Sequence, residues 1–145
     1  MNKIRFRFDD RTLMINNEQC AIITGLDKYA VSMAGNVYNI KTGRKLKPRI
    51  QYQYMRVRIN GKRKYIGEIK TKYYYLAVGL YGSNGKQYNK KIHQLVAQEW
   101  LEDTDLNPDG TPIVGKRCVN HIDHDTANNK VTNLEYCDNK YNRTH

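Results

Sequence analysis

The stretch that decides the reading is CVNHIDHDTANNKVTNLEYCDNKYNRTH, residues 118–145. Cys118–Ile122 alternates as a short strand, and Asp123–Thr132 is polar enough to be a loop. Leu134–Cys137 reads as a returning strand. Asp138–His145 reads as a short helix with Asp138 as its N-cap. Asn120 and Asn142 are 22 positions apart, a separation that lets a strand–loop–strand–helix unit bring both ends to one place.

Such a unit suits hydrolysis of a phosphodiester. That reaction needs a base to deprotonate water and an electrophile to absorb charge on the phosphate and the leaving oxygen. A histidine on a strand, with oxygen or nitrogen ligands on a following helix, can hold the two on opposite sides of one phosphate.

The ordered pattern VNHID, Asn128-Asn129, Thr132-Asn133-Leu134 and Asn142-Arg143-Thr144-His145 resembles the ββα-metal (His-Me finger) motif of HNH endonucleases, above all the small phage homing endonucleases. The likeness extends upstream. Tyr29–Tyr38 with Leu46-Lys47-Pro48 is similar to the NUMOD-like DNA-binding module of those enzymes, and His93–Leu101 to their HRLVAxxF helix. Together the similar segments cover about residues 22–50 and 74–145, and 51–73 reads as an insertion.

The resemblance implies a set of roles. His121 would be the general base, and Asn133 would orient its ring through a hydrogen bond. Asn120 and Asn142 would bind Mg²⁺ or Mn²⁺. His145, three residues after Asn142, would either complete that shell or stand in solvent. The implied activity is DNA endonuclease, with a monomer nicking and a homodimer breaking both strands, in the cytoplasm of a bacterial host from a phage gene. Two alternatives stand beside it. One is a DNA-binding protein with an inactive HNH site, since many HNH nucleases carry Asp where this chain has Asn120. The other is a nuclease of branched DNA.

Outward from this motif, residues Lys90–Leu101 place Ile92, Leu95, Val96 and Trp100 at helical spacing, an amphipathic helix. On it, His93 reads as a packed or capping histidine. Residues 103–115, with Pro108, Gly110 and Pro112, read as a loop. The first ninety residues alternate, with strands expected at Tyr29–Ser32, Asn36–Asn39, Tyr54–Ile59, Lys64–Ile69 and Tyr74–Leu80. Asn60-Gly61 is a hairpin signal. Residues 54–69 and 75–92 echo one another as two hairpins with Gly turns. The expected class is therefore α+β: a β-rich DNA-binding region over 1–89, then the bridging helix and ββα module over 90–145.

Charge fits a polyanion partner. The chain of 145 residues has 25 Lys+Arg against 14 Asp+Glu, a formal charge of +11. Residues 41–72 hold twelve of the basic residues and one acid, Glu68. Arg56 and Arg58 share one strand face, and a β-ribbon fits the major groove of double-stranded DNA. Lys62, Arg63 and Lys64 suit phosphate contacts, and Lys47 and Arg49 extend the basic surface.

Other classes fit less well. No apolar run approaches the roughly 20 residues of a membrane span, and the N-terminus lacks the apolar core of a signal peptide. Cys20, Cys118 and Cys137 are odd in number and form no CxxC pair, against a disulfide scaffold or structural zinc. Reduced, buried thiols in an intracellular protein are expected.

Overall fold

The computed structural model describes residues 4–52, 56–59, 62–65, 74–102 and 117–138. Strands β1 (Thr12–Ile15), β2 (Glu18–Ile22), β3 (Tyr29–Ser32) and β4 (Val37–Asn39) form an antiparallel sheet in that order. β1 and β2 went unread in the sequence because their turn contains no glycine. Asn16 and Asn17, at φ 51° and 63°, supply the two positive dihedrals of a two-residue hairpin.

β5 (Arg49–Tyr52), β8 (Tyr74–Tyr81) and β9 (Gln87–Lys91) form a second sheet with β8 in the middle. β6 (Arg56–Ile59) and β7 (Lys62–Tyr65) pair as a separate hairpin, with Ile59 opposite Lys62. The two echoing segments are thus two hairpins. The expected strand at 64–69 starts earlier, at Lys62, and 66–73 lie outside the described residues.

The helix α1 is Ile92–Trp100, two residues shorter at its start than the periodicity predicts. Lys90 and Lys91 belong instead to β9, where they pair with Val78 and Ala77, and Lys91 is extended (φ −76°, ψ 131°). Ladder hydrogen bonds to β8 outweigh the weak helical propensity of two residues. β10 (Arg117–His121) and β11 (Leu134–Asp138) pair antiparallel, and Cys118 stands opposite Cys137 in that register. Among the described residues no helix is long and apolar enough to cross a membrane.

One core joins these parts. Ile92, Leu95, Val96, Ala97 and Trp100 of α1 pack against Ile23, Val31, Val37, Val78 and Leu80, and against Val131 and Leu134 of the C-terminal segment. The core therefore draws on residues from both sides of position 89. Trp100 Nε1 donates to the Val31 carbonyl at 2.9 Å, which satisfies the only polar atom of a fully buried indole. Glu99 is also buried. Its carboxylate receives Arg7 Nη1 at 3.0 Å, the Thr24 amide at 3.1 Å and Gln98 Nε2 at 2.7 Å. A buried carboxylate needs those partners, and the helical pattern alone gave no sign of them. Cys20 is a free thiol with no exposed surface, and burial pushes its pKa up to about 11, so it stays protonated and inert.

Candidate active site

β10 ends at His121 and the chain turns at once. His124 takes a positive φ of 63°, and its amide donates to the His121 carbonyl at 3.0 Å. Asp123 ties the loop that follows. Its carboxylate accepts from the Asn128 amide at 2.9 Å, the Asp125 N–H at 2.8 Å and the Asn133 amide at 2.8 Å. Those hydrogen bonds, the Asn128 amide foremost, hold the Asp123 carboxyl below the usual carboxylate range.

The loop returns to the histidine. Asn129, buried, places Oδ1 2.8 Å from His121 Nε2. An amide oxygen accepts only, so Nε2 donates this bond, and in the neutral form of the ring Nδ1 is the atom with the lone pair. His121 is buried, only 4% exposed as a residue. Rings close around it: His93 of α1 meets it edge-on at 4.9 Å between centroids, and Tyr75 of β8 lies near-parallel at 6.4 Å.

The expected bond from Asn133 to the His121 ring is replaced. Asn133 Oδ1 accepts from the Asp123 amide at 3.0 Å, while Nδ2 donates to Asp123 Oδ1 and, at 2.9 Å, to the Asn128 carbonyl. Asn133 shapes the loop, and Asn129 holds the ring. The Asn128-Asn129 pair was visible in the sequence, but which amide reaches the ring depends on the path of the loop. That path is set by the left-handed His124 and a 3-10 turn at Val131–Asn133.

Asn120 precedes the histidine, and its Nδ2 donates to Glu135 Oε1 at 2.9 Å across the β10–β11 ladder. That bond leaves the Asn120 amide oxygen available next to a carboxylate. Glu135 was missed because the sequence gives no register, and Asn120 and Glu135 meet only as cross-strand partners. The other two expected ligands, Asn142 and His145, lie outside the described residues, and among the described residues no group of three His, Cys, Asp or Glu side chains could hold an ion. Asn120 Oδ1 and the Glu135 carboxylate are oxygen donors of the kind that Mg²⁺ and Mn²⁺ take, although the contact that the structure records faces the Asn120 amide nitrogen toward Glu135.

A polar sheet face leads to this place. In the β5–β8–β9 register, Arg49, Gln51, Tyr75, Asn89 and Lys91 fall on one side. Arg49 Nη2 donates to Asn89 Oδ1, and Asn89 Nδ2 donates to Gln51 Oε1 at 2.6 Å. Lys91 Nζ sits 5.0 Å from the Tyr75 ring centre, and Tyr75 in turn faces both histidines. Lys47 and Arg49 are exposed. Arg56, Arg58, Lys62, Arg63 and Lys64 lie on the described β6 and β7 backbone, and their side chains fall outside what the structure describes.

A histidine ending one strand of a hairpin, an Asn-rich loop folded beneath it and a returning Leu-Glu strand resemble the site of HNH nucleases, and the comparisons with known proteins point to the same class. Residues 21–60 match the NUMOD4 motif. An uncharacterized HNH endonuclease of Acanthamoeba polyphaga mimivirus is 31% identical over 119 residues, covering 82% of this chain and 27% of that protein. The solved HNH homing endonuclease I-HmuI, described in DNA binding and cleavage, superposes with a TM-score of 0.57 at 28% identity. That match covers 86% of this chain and 55% of the other. The chain spans about a quarter of the viral relative's length and about half of the solved one. In sequence and fold it is an HNH-type relative of the homing endonucleases, with a NUMOD4 motif before its nuclease-like hairpin.

Proposed function

We propose that this chain hydrolyses a phosphodiester bond of double-stranded DNA, with His121 as the general base. The observation that carries this reading is the bond from His121 Nε2 to Asn129 Oδ1 at 2.8 Å. In the neutral ring this bond favours the tautomer with Nδ1 unprotonated, the form able to take a proton from an attacking water. The rings of Tyr75 and His93 limit rotation of the imidazole, so the lone pair keeps its direction.

HNH nucleases generally use a divalent metal. Asn120 and Glu135, joined by Asn142 and His145 from the following segment, would hold Mg²⁺ or Mn²⁺, which when bound supplies positive charge for the phosphate and the leaving oxygen. Asn120 alone is a weaker ligand than the Asp found in many HNH nucleases, and the Glu135 carboxylate beside it supplies the missing charge.

DNA as the substrate is supported by the net charge of +11, by the NUMOD4 match and by the face carrying Arg49, Asn89 and Lys91. One such site per chain cuts one strand, so a monomer nicks. Incubating supercoiled plasmid with Mg²⁺ tests the reading: the wild-type chain should yield open circles and His121→Ala should not. If neither protein nicks while both still retard DNA on a gel, the chain binds DNA without cutting it and the hydrolytic reading fails.

A further inference from the structure

We propose that His93 of α1 is a positioning residue for His121, acting with Tyr75 as a ring clamp that holds the imidazole in the orientation set by Asn129. The proposal rests on the reading of His121 as the general base. Three observations carry it, and the clamping residues His93 and Tyr75 lie outside the nuclease motif itself.

The first is geometry. The ring centroids of His93 and His121 are 4.9 Å apart with planes at 63°, an edge-to-face pair, and those of His93 and Tyr75 are 5.0 Å apart at 38°. Tyr75 and His121 are 6.4 Å apart at 28°. The three rings form a triangle, so a turn of His121 about its Cβ–Cγ bond changes its packing against both neighbours. Asn129 secures one atom, Nε2, and a single hydrogen bond leaves the ring free to hinge about it. The clamp removes that freedom.

The second is what His93 lacks. It is 4% exposed, and its Nδ1 has no hydrogen-bond partner among the described residues. It caps no helix end, since α1 has no side-chain cap bond. The contacts that the structure records for the His93 side chain among the described residues are its ring contacts with Tyr75 and His121.

The third is charge. Burial, aided by the neighbouring His121 and Lys91, pushes the His93 pKa down to about 3. His93 thus stays neutral at physiological pH and does not compete for the proton that His121 accepts. A neutral aromatic ring against the imidazolium formed in the reaction is also favourable, as rings are to cations generally.

The experiment uses the full chain with three variants: His93→Phe keeps a flat aromatic wall, His93→Gln keeps much of the volume without a ring, and His93→Ala removes both. Nicking of supercoiled plasmid with Mg²⁺ gives kcat and KM. Nitrogen-15 spectra of the imidazoles give the tautomer of His121, assigned by loss of its signals in His121→Ala. The expected result is kcat within about threefold of wild type for His93→Phe and at least tenfold lower for His93→Gln and His93→Ala, with KM unchanged. His121 should show the Nε2–H tautomer in wild type and His93→Phe, and a mixture in the other two.

Wild-type kcat and an unmoved His121 tautomer in a folded Gln or Ala variant would overturn the proposal. So would a loss in His93→Phe equal to that in His93→Ala. If the wild-type chain proves not to cut DNA, the base reading fails on its own, and the nitrogen spectra still decide whether His93 orients His121.

Discussion

Gly35 lies directly against Asn129: a β-carbon added at Gly35 would sit 3.0 Å from Asn129 Cβ and 3.1 Å from its carbonyl oxygen. The β3–β4 turn of the NUMOD4 region is thereby seated under the loop that holds His121. The Val131 amide adds to the seat by donating to the Met33 carbonyl at 2.8 Å. Gly35 also has φ +88°, a region that L side chains rarely adopt. Gly35→Ala should therefore destabilise the fold by about 1–2 kcal/mol from the backbone alone, and more from the contact. Nicking should fall more steeply than the folded fraction, because Asn129 is displaced. Urea unfolding alongside nicking rates checks this; equal losses in both would mean that the seat does not reach the site.

Asn129 itself should be sensitive to its acceptor oxygen and tolerant of its amide nitrogen. Asn129→Asp keeps an acceptor at Nε2, whereas Asn129→Leu removes it. Outer-sphere partners of this kind are worth on the order of 10–100-fold. Single-turnover nicking should therefore drop by that range in the Leu variant and much less in the Asp variant. Similar rates in the two would dissociate the bond from the base.

Glu135→Gln removes a charge beside Asn120 while keeping a side chain of the same shape. Mn²⁺ affinity measured by calorimetry should weaken by about tenfold or more, with binding of DNA in the absence of metal unchanged. An unaltered Mn²⁺ isotherm would place the ion away from Glu135.

The His93 pKa of about 3 makes a statement about stability and pH. The unfolded chain has the ordinary histidine value near 6.5. Above that value both states are neutral at this position and the folded state bears no proton penalty. As pH falls from about 6.5 towards 3, only the unfolded state binds the proton, so stability is progressively lost. The thermal midpoint should decline across this window, and His93→Phe should flatten the decline. A slope identical to wild type would show that other groups govern it.

The β6–β7 hairpin should contribute phosphate contacts. Replacing Lys62, Arg63 and Lys64 with Gln should weaken DNA binding. It should also reduce the slope of log K against log salt by up to about 2.7, the value for three phosphates. An unchanged slope would place the binding surface elsewhere on the chain.

Much of the fold is legible in the chain because its elements obey strong local rules. β3 and β8 follow from alternating apolar residues, and α1 from the spacing of Ile92, Leu95, Val96 and Trp100. β1 and β2 were not legible, since an Asn-Asn turn is a weaker signal than Asn-Gly. The start of α1 was misplaced because pairing with β8, a contact between distant residues, captured Lys90 and Lys91.

The site divides along the same line. Residue type and order were legible in the chain: His121 at a strand end, Asn120 before it, an Asn-rich loop and a returning Leu-Glu strand. Relationships between residues far apart in the chain were decided only by the tertiary structure. Asn129 replaces Asn133 at the ring because a left-handed His124 bends the loop back. Glu135 reaches Asn120 because of the β10–β11 register, and Tyr75 and His93 reach His121 because one apolar core holds β8, α1 and the hairpin together. Local sequence sets backbone preference within a few residues, while the packing of a shared core sets which distant side chains meet.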